Sequence, residues 1–184
     1  VLKMKINNFF KRLFDFIFSL LFLLLCIPMA ILISICIKIE SQGKVLFKQR
    51  RIGKNQEIFT IFKFRTMYHG TEKSGTGIYS FEGDPRVTKI GKVLRQSSLD
   101  ELPQMLNIIR GEMSFVGPRP LVVGELDSVN NLPSNWSDRF CAKPGITGLA
   151  QVTGRNHISV YQKISLDLLY IKHFTRLGLV LDTF

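Results

Sequence analysis

The sequence predicts an α+β fold in which helices dominate, and three observations support this prediction. A long uncharged apolar run carries a proline near its middle, a second stretch alternates apolar and polar residues, and several segments place apolar residues at helical spacing. The 184 residues suffice for one domain with its own hydrophobic core, so no disulfide framework or structural metal is required. The three cysteines have neither paired spacing nor an even count, which favours a reducing compartment.

The apolar run extends from Phe16 to Ile37 and contains 22 residues without a charge. As a helix it is long enough to cross a hydrocarbon core of about 30 Å. Pro28 removes the backbone hydrogen bond to Leu24, so we expect a membrane break at Ile27 and Pro28. A secretory signal fits less well, because the run is too long and no small-residue cleavage site follows it.

Basic residues flank both ends of this run. Because such residues collect on the cytoplasmic face of a membrane, both flanks favour the same side. We therefore favour a re-entrant helix-break-helix, in a monotopic membrane protein, over a straight crossing. The prediction assigns residues 1–40 to this membrane hairpin and residues 41–184 to a cytoplasmic domain. The flanking residues are Lys3, Lys5, Lys11 and Arg12 before the run, and Lys38, Lys44, Lys48, Arg50 and Arg51 after it.

The elements that follow are predicted from periodicity and turn residues. Alternation on either side of Gly53–Asn55 indicates a small β-hairpin. A capping box at Ser159 and Gln162 begins the last helix. The predicted elements are two strands within Val45–Met67, helices over Arg86–Gln96 and Asp100–Arg110, a strand within Met113–Leu121, a turn, short strand and turn over Lys143–Asn156, and a helix from Ser159 to about His173.

The balance of charge points to an anionic partner. The chain has 25 Lys and Arg against 14 Asp and Glu, a formal net charge of +11. Nucleic acid, a phosphorylated substrate and acidic lipid all fit that charge. Nucleic acid is the weakest of these, because the chain has no recognisable reader motif and its basic residues flank a lipid-like segment.

Two adjacent carboxylates, Asp100 and Glu101, stand where the second helix is predicted to begin. One interpretation is purely structural, because Ser98-x-x-Glu101 is a capping box and acidic residues favour a helix N-terminus. Pro103 argues against that register, since it fits the first turn only if Asp100 is the cap. In the other interpretation, both carboxylates face a polar cleft opposite a buried stripe. The predicted stripe consists of Leu102, Met105, Leu106 and Ile109.

A phosphoryl-transfer site requires a nucleophile, a divalent cation and fixed donors for the moving charge. Asp100 or Glu101 could attack phosphorus or bind Mg²⁺, and the helix N-terminus adds partial positive charge. The Pro118-Arg119-Pro120 sequence fixes an arginine on a rigid strand end. Arg95 lies just upstream of the two acids and is a second candidate for the phosphate. Residues alone leave the structural and the chemical interpretations open.

Several motifs together resemble the bacterial sugar transferase family, the monotopic polyprenol-phosphate phosphoglycosyl transferases. The resemblance runs from about Phe10 to the end, and is to the small members that consist of the catalytic unit alone, especially those acting on N-acetylated amino sugars such as diacetylbacillosamine. One departure is Ile27-Pro28, where many relatives have Ser-Pro. The motifs are KRLFDF, FKQRRIG, IFKFRTM, DPRVTKIGKVLRQSSLDELPQMLNIIRGEMSFVGPRPL and KPGITGLAQVTGRN.

The resemblance implies a re-entrant membrane helix and a cytoplasmic catalytic domain at the bacterial inner (cytoplasmic) membrane. The implied reaction moves a sugar 1-phosphate from a UDP-sugar to undecaprenyl phosphate with release of UMP, as the first membrane step of glycoconjugate assembly. Asp100 is similar to the nucleophile that forms a covalent phosphosugar intermediate, and Glu101 accompanies it at Mg²⁺. The implied partners are therefore the UDP-sugar, undecaprenyl phosphate and membrane lipid.

The resemblance also assigns roles to residues away from the acidic pair. It implies that Arg95 and Pro118-Arg119-Pro120 bind the substrate phosphate, and that Arg155 and Lys63 bind the nucleotide. Asp167 stands where the family also carries an acid. A membrane-anchored module that binds acidic lipid or polyanions without chemistry is the alternative, as is the same enzyme acting on a UDP-hexose. The sequence leaves a homo-oligomer open.

Overall fold

The computed structural model describes residues 2–71, 81, 83–126, 129, 132–154 and 158–177, with no side chains described for 2–8 and 174–177. It is a mixed α and β structure, as predicted. Its contacts divide the chain into two compact units. The first comprises Val1–Leu20, Gln49–Ile61 and Leu106–Phe184, and the second comprises Leu21–Lys48 and Phe62–Met105.

The N-terminal apolar run forms two helices, α1 (Leu2–Leu25) and α2 (Ile27–Glu40), which break at Cys26. The bend at the break is 60°, which confirms the predicted interruption, but the break lies at Cys26, one residue before the predicted Ile27 and Pro28, because a proline fits the first turn of the following helix. Pro28 is the second residue of α2, a position where its missing N–H costs little. Within the described residues, only the bent pair taken together reaches the length and hydropathy of a membrane span, and neither helix does so alone.

The predicted hairpin consists of β1 (Leu46–Ile52) and β2 (Ile58–Phe64), joined through a 3₁₀ turn at Lys54–Gln56. Asn55 has a φ of +54°, a left-handed conformation that asparagine tolerates better than most residues. A short strand, β4 (Leu121–Val122), pairs antiparallel with β1, with Arg51 opposite Val122. The hairpin is therefore extended into a three-stranded sheet.

The helix predicted over Arg86–Gln96 is α3 (Lys89–Ser97). It begins three residues later than predicted because Thr88 is the N-cap, with its hydroxyl accepting a hydrogen bond from the Gly91 N–H at 2.9 Å. The preceding turn is closed by a buried ion pair in which Arg86 Nη2 donates to Asp84 Oδ2 at 2.6 Å. Ser98 then ends the helix in the left-handed conformation, with φ of +59°.

The helix predicted over Asp100–Arg110 is instead a 3₁₀ helix (Leu99–Gln104) followed by α4 (Met105–Arg110). Pro103 has no N–H to bond to the Leu99 carbonyl, so regular α-helix begins only beyond it. The predicted buried stripe is correspondingly wrong in part, because a 3₁₀ helix turns by about 120° per residue rather than 100°. Leu102 and Met105 are buried, whereas Leu106 and Ile109 are half-buried and Ile108 and Asn107 are fully buried instead.

Two further predictions differ in detail. The strand predicted within Met113–Leu121 is shorter, because only β3 (Ser114–Val116) forms before the two prolines interrupt it. The β3 strand pairs with β5 (Gly145–Thr147), and the two strands run parallel. A short helix, α5 (Leu149–Gly154), replaces the turn predicted after β5. The last helix, α6 (Val160–Leu177), begins at the predicted capping box, with Ser159 N–H donating to Gln162 at 2.8 Å.

The core of the second unit lies where α2 and α3 pack together. Its buried members come from the break before α2, from α2, β2 and α3, and from the 3₁₀ helix, so the segment that carries Asp100 and Glu101 is part of this core. The α3 helix also lies close to β2, because Gly91 faces the Thr66 backbone. The buried cluster consists of Cys26, Ile33, Ile37, Phe64, Leu94 and Leu102.

We expect Gly91→Ala to destabilise the second unit. A Cβ at this position would lie 2.0 Å from the Thr66 carbonyl oxygen, so α3 would have to move away from the end of β2. Overpacking of this kind costs about 1–3 kcal/mol. The check is the midpoint of thermal unfolding, with the exposed Gln96→Ala of the same helix as control. Equal midpoints for the two variants would show that this close approach is not required.

Candidate active site

Asp100 and Glu101 occupy the first turn of the 3₁₀ helix, directly after α3. Asp100 is only 9% exposed, while Glu101 is half-buried. Both belong to the second unit. Leu102 and Pro103 on the same turn are buried in the core, which fixes the backbone that carries the two acids. The acidic pair is therefore held on a packed turn rather than on a flexible loop.

Ser98 does not act as the side-chain cap that the structural interpretation requires. Its backbone carbonyl accepts a hydrogen bond from the Glu101 N–H at 3.2 Å, but its side chain makes no capping bond. Glu101 instead bonds to Lys63 Nζ at 2.5 Å. The capping-box register of Ser98 and Glu101 is therefore not formed, and the two acids need a different explanation.

Lys63, near the end of β2, is the cation that lies against the acidic pair. Its Nζ is 2.5 Å from Glu101 Oε1 and 4.0 Å from Asp100 Oδ2. The sequence singled out Lys63 as a nucleotide ligand, but its contact with both acids was not predicted. The only signal in the sequence is its position in the IFKFRTM motif. Its role toward a nucleotide stays a prediction.

Arg95, on the last turn of α3, is the second cation near Asp100. Its Nε donates a hydrogen bond to Thr66 Oγ1 at 2.9 Å, and its side chain is half-buried. Thr66 was not recognised in the sequence, and it lies two residues beyond the end of β2, three residues after Lys63. Lys63 and Arg95 thus come from different elements and converge on the acidic pair from within one unit.

Burial raises the pKa of the Asp100 carboxyl above its usual range, and the neighbouring charge of Glu101 adds to that effect. Lys63 and Arg95 act in the opposite direction and lower the pKa of Asp100. Burial also lowers the pKa of Arg95, against the attraction of Asp100. A partly desolvated carboxylate held near two cations is the arrangement expected of a group that reacts rather than of a surface cap.

The acidic pair supplies oxygen ligands, the type that Mg²⁺ prefers. Over the part of the chain that the structure describes, no group of three or more His, Cys, Asp or Glu side chains could hold a metal alone. Mg²⁺ is commonly bound by one or two carboxylates together with substrate phosphates and water. Asp100 and Glu101 are thus carboxylates that could hold Mg²⁺ only together with further ligands, and the Mg²⁺ site stays a prediction.

The Pro118-Arg119-Pro120 sequence lies in the first unit, between β3 and β4. Both prolines are buried and the arginine between them is exposed. The neighbouring Gly117 leaves room for a close approach of the chain, since a Cβ there would lie 2.3 Å from the Lys143 carbonyl oxygen. Arg119 is therefore an exposed arginine between two buried prolines, and its role toward a phosphate stays a prediction.

A buried ion pair supports this segment from α6. Arg139 Nη2 donates to Asp167 Oδ2 at 2.5 Å and to the Arg119 carbonyl oxygen at 2.8 Å. Arg139 is 3% exposed and Asp167 is 1% exposed. Asp167 was named from its resemblance alone, whereas Arg139 was missed, because nothing in the sequence links it to residues 20 and 28 positions away.

Burial dominates the electrostatics of this pair. It raises the pKa of Asp167 to about 6, although the attraction of Arg139 and Arg119 opposes the change. Burial likewise lowers the pKa of Arg139. Replacing such a buried ion pair by apolar residues is often neutral, because desolvation offsets the attraction between the two charges. Arg139 also donates a hydrogen bond to the carbonyl oxygen of Arg119, so the pair holds the backbone of that segment.

Of the residues named from the sequence, the second unit brings together Lys63, Arg95, Asp100 and Glu101, and it also contains Ile27 and Pro28. The first unit contains Pro118, Arg119, Pro120 and Asp167. Arg155 lies outside the described residues.

The family model described as bacterial sugar transferase matches residues 6–183 of the chain. The exopolysaccharide production protein ExoY of Sinorhizobium fredii (strain NBRC 101917 / NGR234) is 37% identical over 182 residues, which cover 91% of this chain and 79% of that protein.

Two longer relatives are named for their reactions. The UDP-glucose:undecaprenyl-phosphate glucose-1-phosphate transferase of Klebsiella pneumoniae is 43% identical over 91% of this chain and 37% of its own length. The UDP-N-acetylgalactosamine-undecaprenyl-phosphate N-acetylgalactosaminephosphotransferase of Aeromonas hydrophila is 36% identical over 95% of this chain and 42% of its own length. With the family model covering nearly every residue, the chain belongs to the bacterial sugar transferase family.

Proposed function

We propose that the protein transfers a sugar 1-phosphate from a UDP-sugar to undecaprenyl phosphate and releases UMP. Family membership and the names of the relatives support this general reaction. The observation that carries the proposal is the buried Asp100 carboxylate beside Glu101, Lys63 and Arg95. A surface-binding module has no need for a desolvated carboxylate among cations, so we prefer an enzyme to a non-catalytic lipid-binding protein.

In the first step, a carboxylate oxygen of Asp100 attacks the phosphorus that carries the sugar. A bond forms between that oxygen and phosphorus, and the phosphorus–oxygen bond to the UMP portion breaks. UMP leaves with the bridging oxygen and its electron pair, and the enzyme retains an aspartyl phosphosugar. No proton is required, since the carboxylate and the leaving phosphate are both anions.

In the second step, a phosphate oxygen of undecaprenyl phosphate attacks the same phosphorus. The bond from Asp100 to phosphorus breaks and the carboxylate is regenerated. The product is undecaprenyl diphosphate carrying the sugar. Dividing the transfer in this way lets UMP leave before the lipid acceptor reacts, so the site handles one anionic partner at a time.

The cations of the site balance the charge of these phosphates. We propose that Arg95 donates hydrogen bonds to substrate phosphate oxygens, a contact to which guanidinium groups are suited, while the phosphate role of Arg119 in the first unit stays a prediction from the sequence. Asp100 and Glu101 would hold Mg²⁺, which when bound neutralises phosphate oxygens and makes the phosphorus easier to attack. Lys63 compensates the paired carboxylates, and Arg155 and Lys63 are proposed nucleotide ligands.

The proposed donor is a UDP-linked N-acetylated amino sugar. The Aeromonas relative is named for such a donor, whereas the Klebsiella relative is named for UDP-glucose, so UDP-hexose is the second candidate. Both donors carry the same UDP group, and the chemistry at Asp100 is the same for either. A screen of the two donor classes with undecaprenyl phosphate distinguishes them.

We propose that α1 and α2 dip into the bacterial inner (cytoplasmic) membrane from the cytoplasmic face. The bent pair exposes large apolar side chains along both helices, which water does not favour. Membrane insertion would bring the enzyme to the phosphate of a lipid acceptor. The exposed side chains include Phe14, Phe18, Leu21, Phe22 and Leu25 of α1, and Ile31, Leu32, Ile35 and Ile39 of α2.

We expect purified wild-type protein with Mg²⁺ and a UDP-sugar, but no acceptor, to release UMP and to gain the mass of a sugar phosphate on Asp100. Asp100→Asn should do neither, because an amide is not an effective nucleophile toward phosphorus. Peptide mass spectrometry and UMP release are the measurements. Asp138→Asn, which alters an exposed carboxylate, is the control. Undiminished release by Asp100→Asn, or an adduct on a different residue, contradicts the covalent mechanism.

The re-entrant topology predicts that both flanks of the bent pair lie on the cytoplasmic side. In a chain without its three native cysteines, Lys5→Cys and Lys54→Cys should both resist a membrane-impermeant maleimide in intact cells. Both should react after permeabilisation, since Lys5 precedes the apolar bent pair, which begins at Phe9, and Lys54 is exposed on the other side of it. Labelling of only one of them in intact cells would establish a straight crossing.

The Asp167 pair predicts a particular pH dependence of stability. The pKa of about 6 in the folded protein exceeds that of an unfolded aspartate, so the folded state binds this proton more tightly. Stability relative to Asp167→Asn is therefore greatest below about pH 4 and falls as the pH rises to 6, by on the order of 2 kcal/mol. Thermal unfolding of both proteins between pH 4 and 7 measures it. A difference that is constant or grows with pH would refute the prediction.

A further inference from the structure

The end of α2 is bound to the segments that carry the acidic pair by two side chains, Glu40 and Arg65, which we call the α2 clamp. All of its members lie within the second unit, together with Asp100 and Glu101. The clamp is separate from the groups assigned to the chemistry. Neither Glu40 nor Arg65 was identified from the sequence as a functional residue.

Glu40, the last residue of α2, caps the first turn of α3. Its two carboxylate oxygens accept hydrogen bonds from the backbone N–H groups of Lys89 at 2.6 Å and Ile90 at 2.9 Å. These N–H groups have no partner within the helix itself, and a carboxylate is well placed against the positive end of the helix dipole. Glu40 therefore connects the end of α2 to the start of α3, and the last turn of α3 carries Arg95 directly before the acidic turn.

Arg65 binds the C-terminal end of α2, where the helix exposes carbonyl oxygens that carry partial negative charge. Its Nη2 donates to the Ser41 carbonyl oxygen at 2.7 Å and to Ser41 Oγ at 3.0 Å, with a longer contact to the Ile37 carbonyl at 3.4 Å. A cation at this end of a helix is electrostatically favourable. Gly43 makes room for the guanidinium, since a Cβ there would lie 2.3 Å from Arg65 Nη1.

Arg65 is also connected to the acidic pair through its neighbours. Thr66, the next residue, accepts the hydrogen bond from Arg95, and Lys63, two residues earlier, contacts Glu101. Both halves of the clamp therefore lead from the end of α2 to the reacting carboxylates, one through α3 and one through the end of β2. The two routes meet at Arg95 and the 3₁₀ turn.

Burial of Arg65 in the clamp lowers the stability that the core could have with an apolar side chain at this position. Arg65 is 4% exposed, and its Nε and Nη1 have no hydrogen-bond partner among the described residues. Burying donors without partners costs free energy that an apolar side chain would not. A positioning role accounts for this arrangement better than stability does.

We propose that Glu40 and Arg65 are positioning residues that fix the depth of Asp100 relative to the membrane-inserted α2. The inference rests on the proposed function, in which the donor is soluble and the acceptor phosphate lies at the bilayer surface. The donor step then depends only on the geometry around Asp100. The acceptor step depends in addition on the height of Asp100 above the lipid, which the clamp sets.

The test separates these two steps in the full chain, reconstituted in phosphatidylethanolamine and phosphatidylglycerol vesicles. The variants are Glu40→Ala and Arg65→Met, with Lys92→Met, an exposed charge on α3, as the matched control. The donors are UDP-glucose and UDP-N-acetylgalactosamine. The acceptors are undecaprenyl phosphate in the bilayer and geranyl phosphate dissolved in water.

We expect both clamp variants to release UMP without acceptor, and to use geranyl phosphate, within about threefold of wild type. Transfer to undecaprenyl phosphate in vesicles should fall by about tenfold or more, since a misplacement of about 1 Å can cost about 100-fold. Arg65→Lys should recover part of it, because an ammonium group can donate to the same carbonyls. Equal losses in all three assays, or none in any, overturn the proposal.

Hydrogen exchange provides a readout that does not depend on activity. Loss of the clamp should accelerate exchange at Lys89 and Ile90 in Glu40→Ala and at Ser41 in Arg65→Met, while exchange in residues 99–104 and the unfolding midpoints stay close to wild type. Accelerated exchange in residues 99–104 would mean that the clamp holds the acidic turn itself rather than its depth, and it would overturn the proposal even if the variants are inactive. If the wild-type protein used neither donor, the proposed function would be refuted for these donors. Hydrogen exchange in the two variants would still show whether Glu40 and Arg65 hold the end of α2.

Discussion

Two adjacent carboxylates cannot both remain charged in a buried turn unless cations lie close to them. The second unit meets this requirement with Lys63, which contacts Glu101 and Asp100, and with Arg95 on the preceding helix. The arrangement determines much of the local structure. The end of β2 places Lys63 beside the two acids. The α3 helix packs closely at Gly91, which lets Arg95 donate a hydrogen bond to Thr66.

The same constraint explains why the turn that carries the acids is not a regular helix. Pro103 prevents α-helix from starting before Met105, and the 3₁₀ geometry buries Leu102 while it leaves Glu101 half-buried beside Lys63. In the first unit, an exposed arginine is held between two buried prolines, and its carbonyl is bonded by Arg139. In both units, buried neighbours hold the backbone on either side of a charged residue, with Leu102 and Pro103 following the two acids and Pro118 and Pro120 enclosing Arg119.

Much of the fold was predictable from local patterns. The helix break, the hairpin and the capped start of α6 follow from proline, alternation and a capping box, and all three are present in the structure. The predicted start of α3 was wrong, because Thr88 is the N-cap and the helix begins after it. The predicted α-helical start at Asp100 was also wrong, because Pro103 prevents a regular α-helix before Met105. Periodicity measured at 100° per residue then assigned burial to Leu106 and Ile109 instead of Asn107 and Ile108.

The sequence by itself determined the local features of the chain: Asp100 beside Glu101, Arg119 between two prolines, and an apolar run broken near Pro28. These features depend on bonded neighbours and on backbone preferences, which a linear chain displays directly. Only the tertiary structure decided which opposite charges pair, because the partners lie far apart in the chain. Lys63 and Glu101 are 38 residues apart, and Arg139 and Asp167 are 28 residues apart. It also decided that Glu40 and Arg65 bind opposite dipole ends, of α3 and α2, since such contacts arise only when separate elements pack.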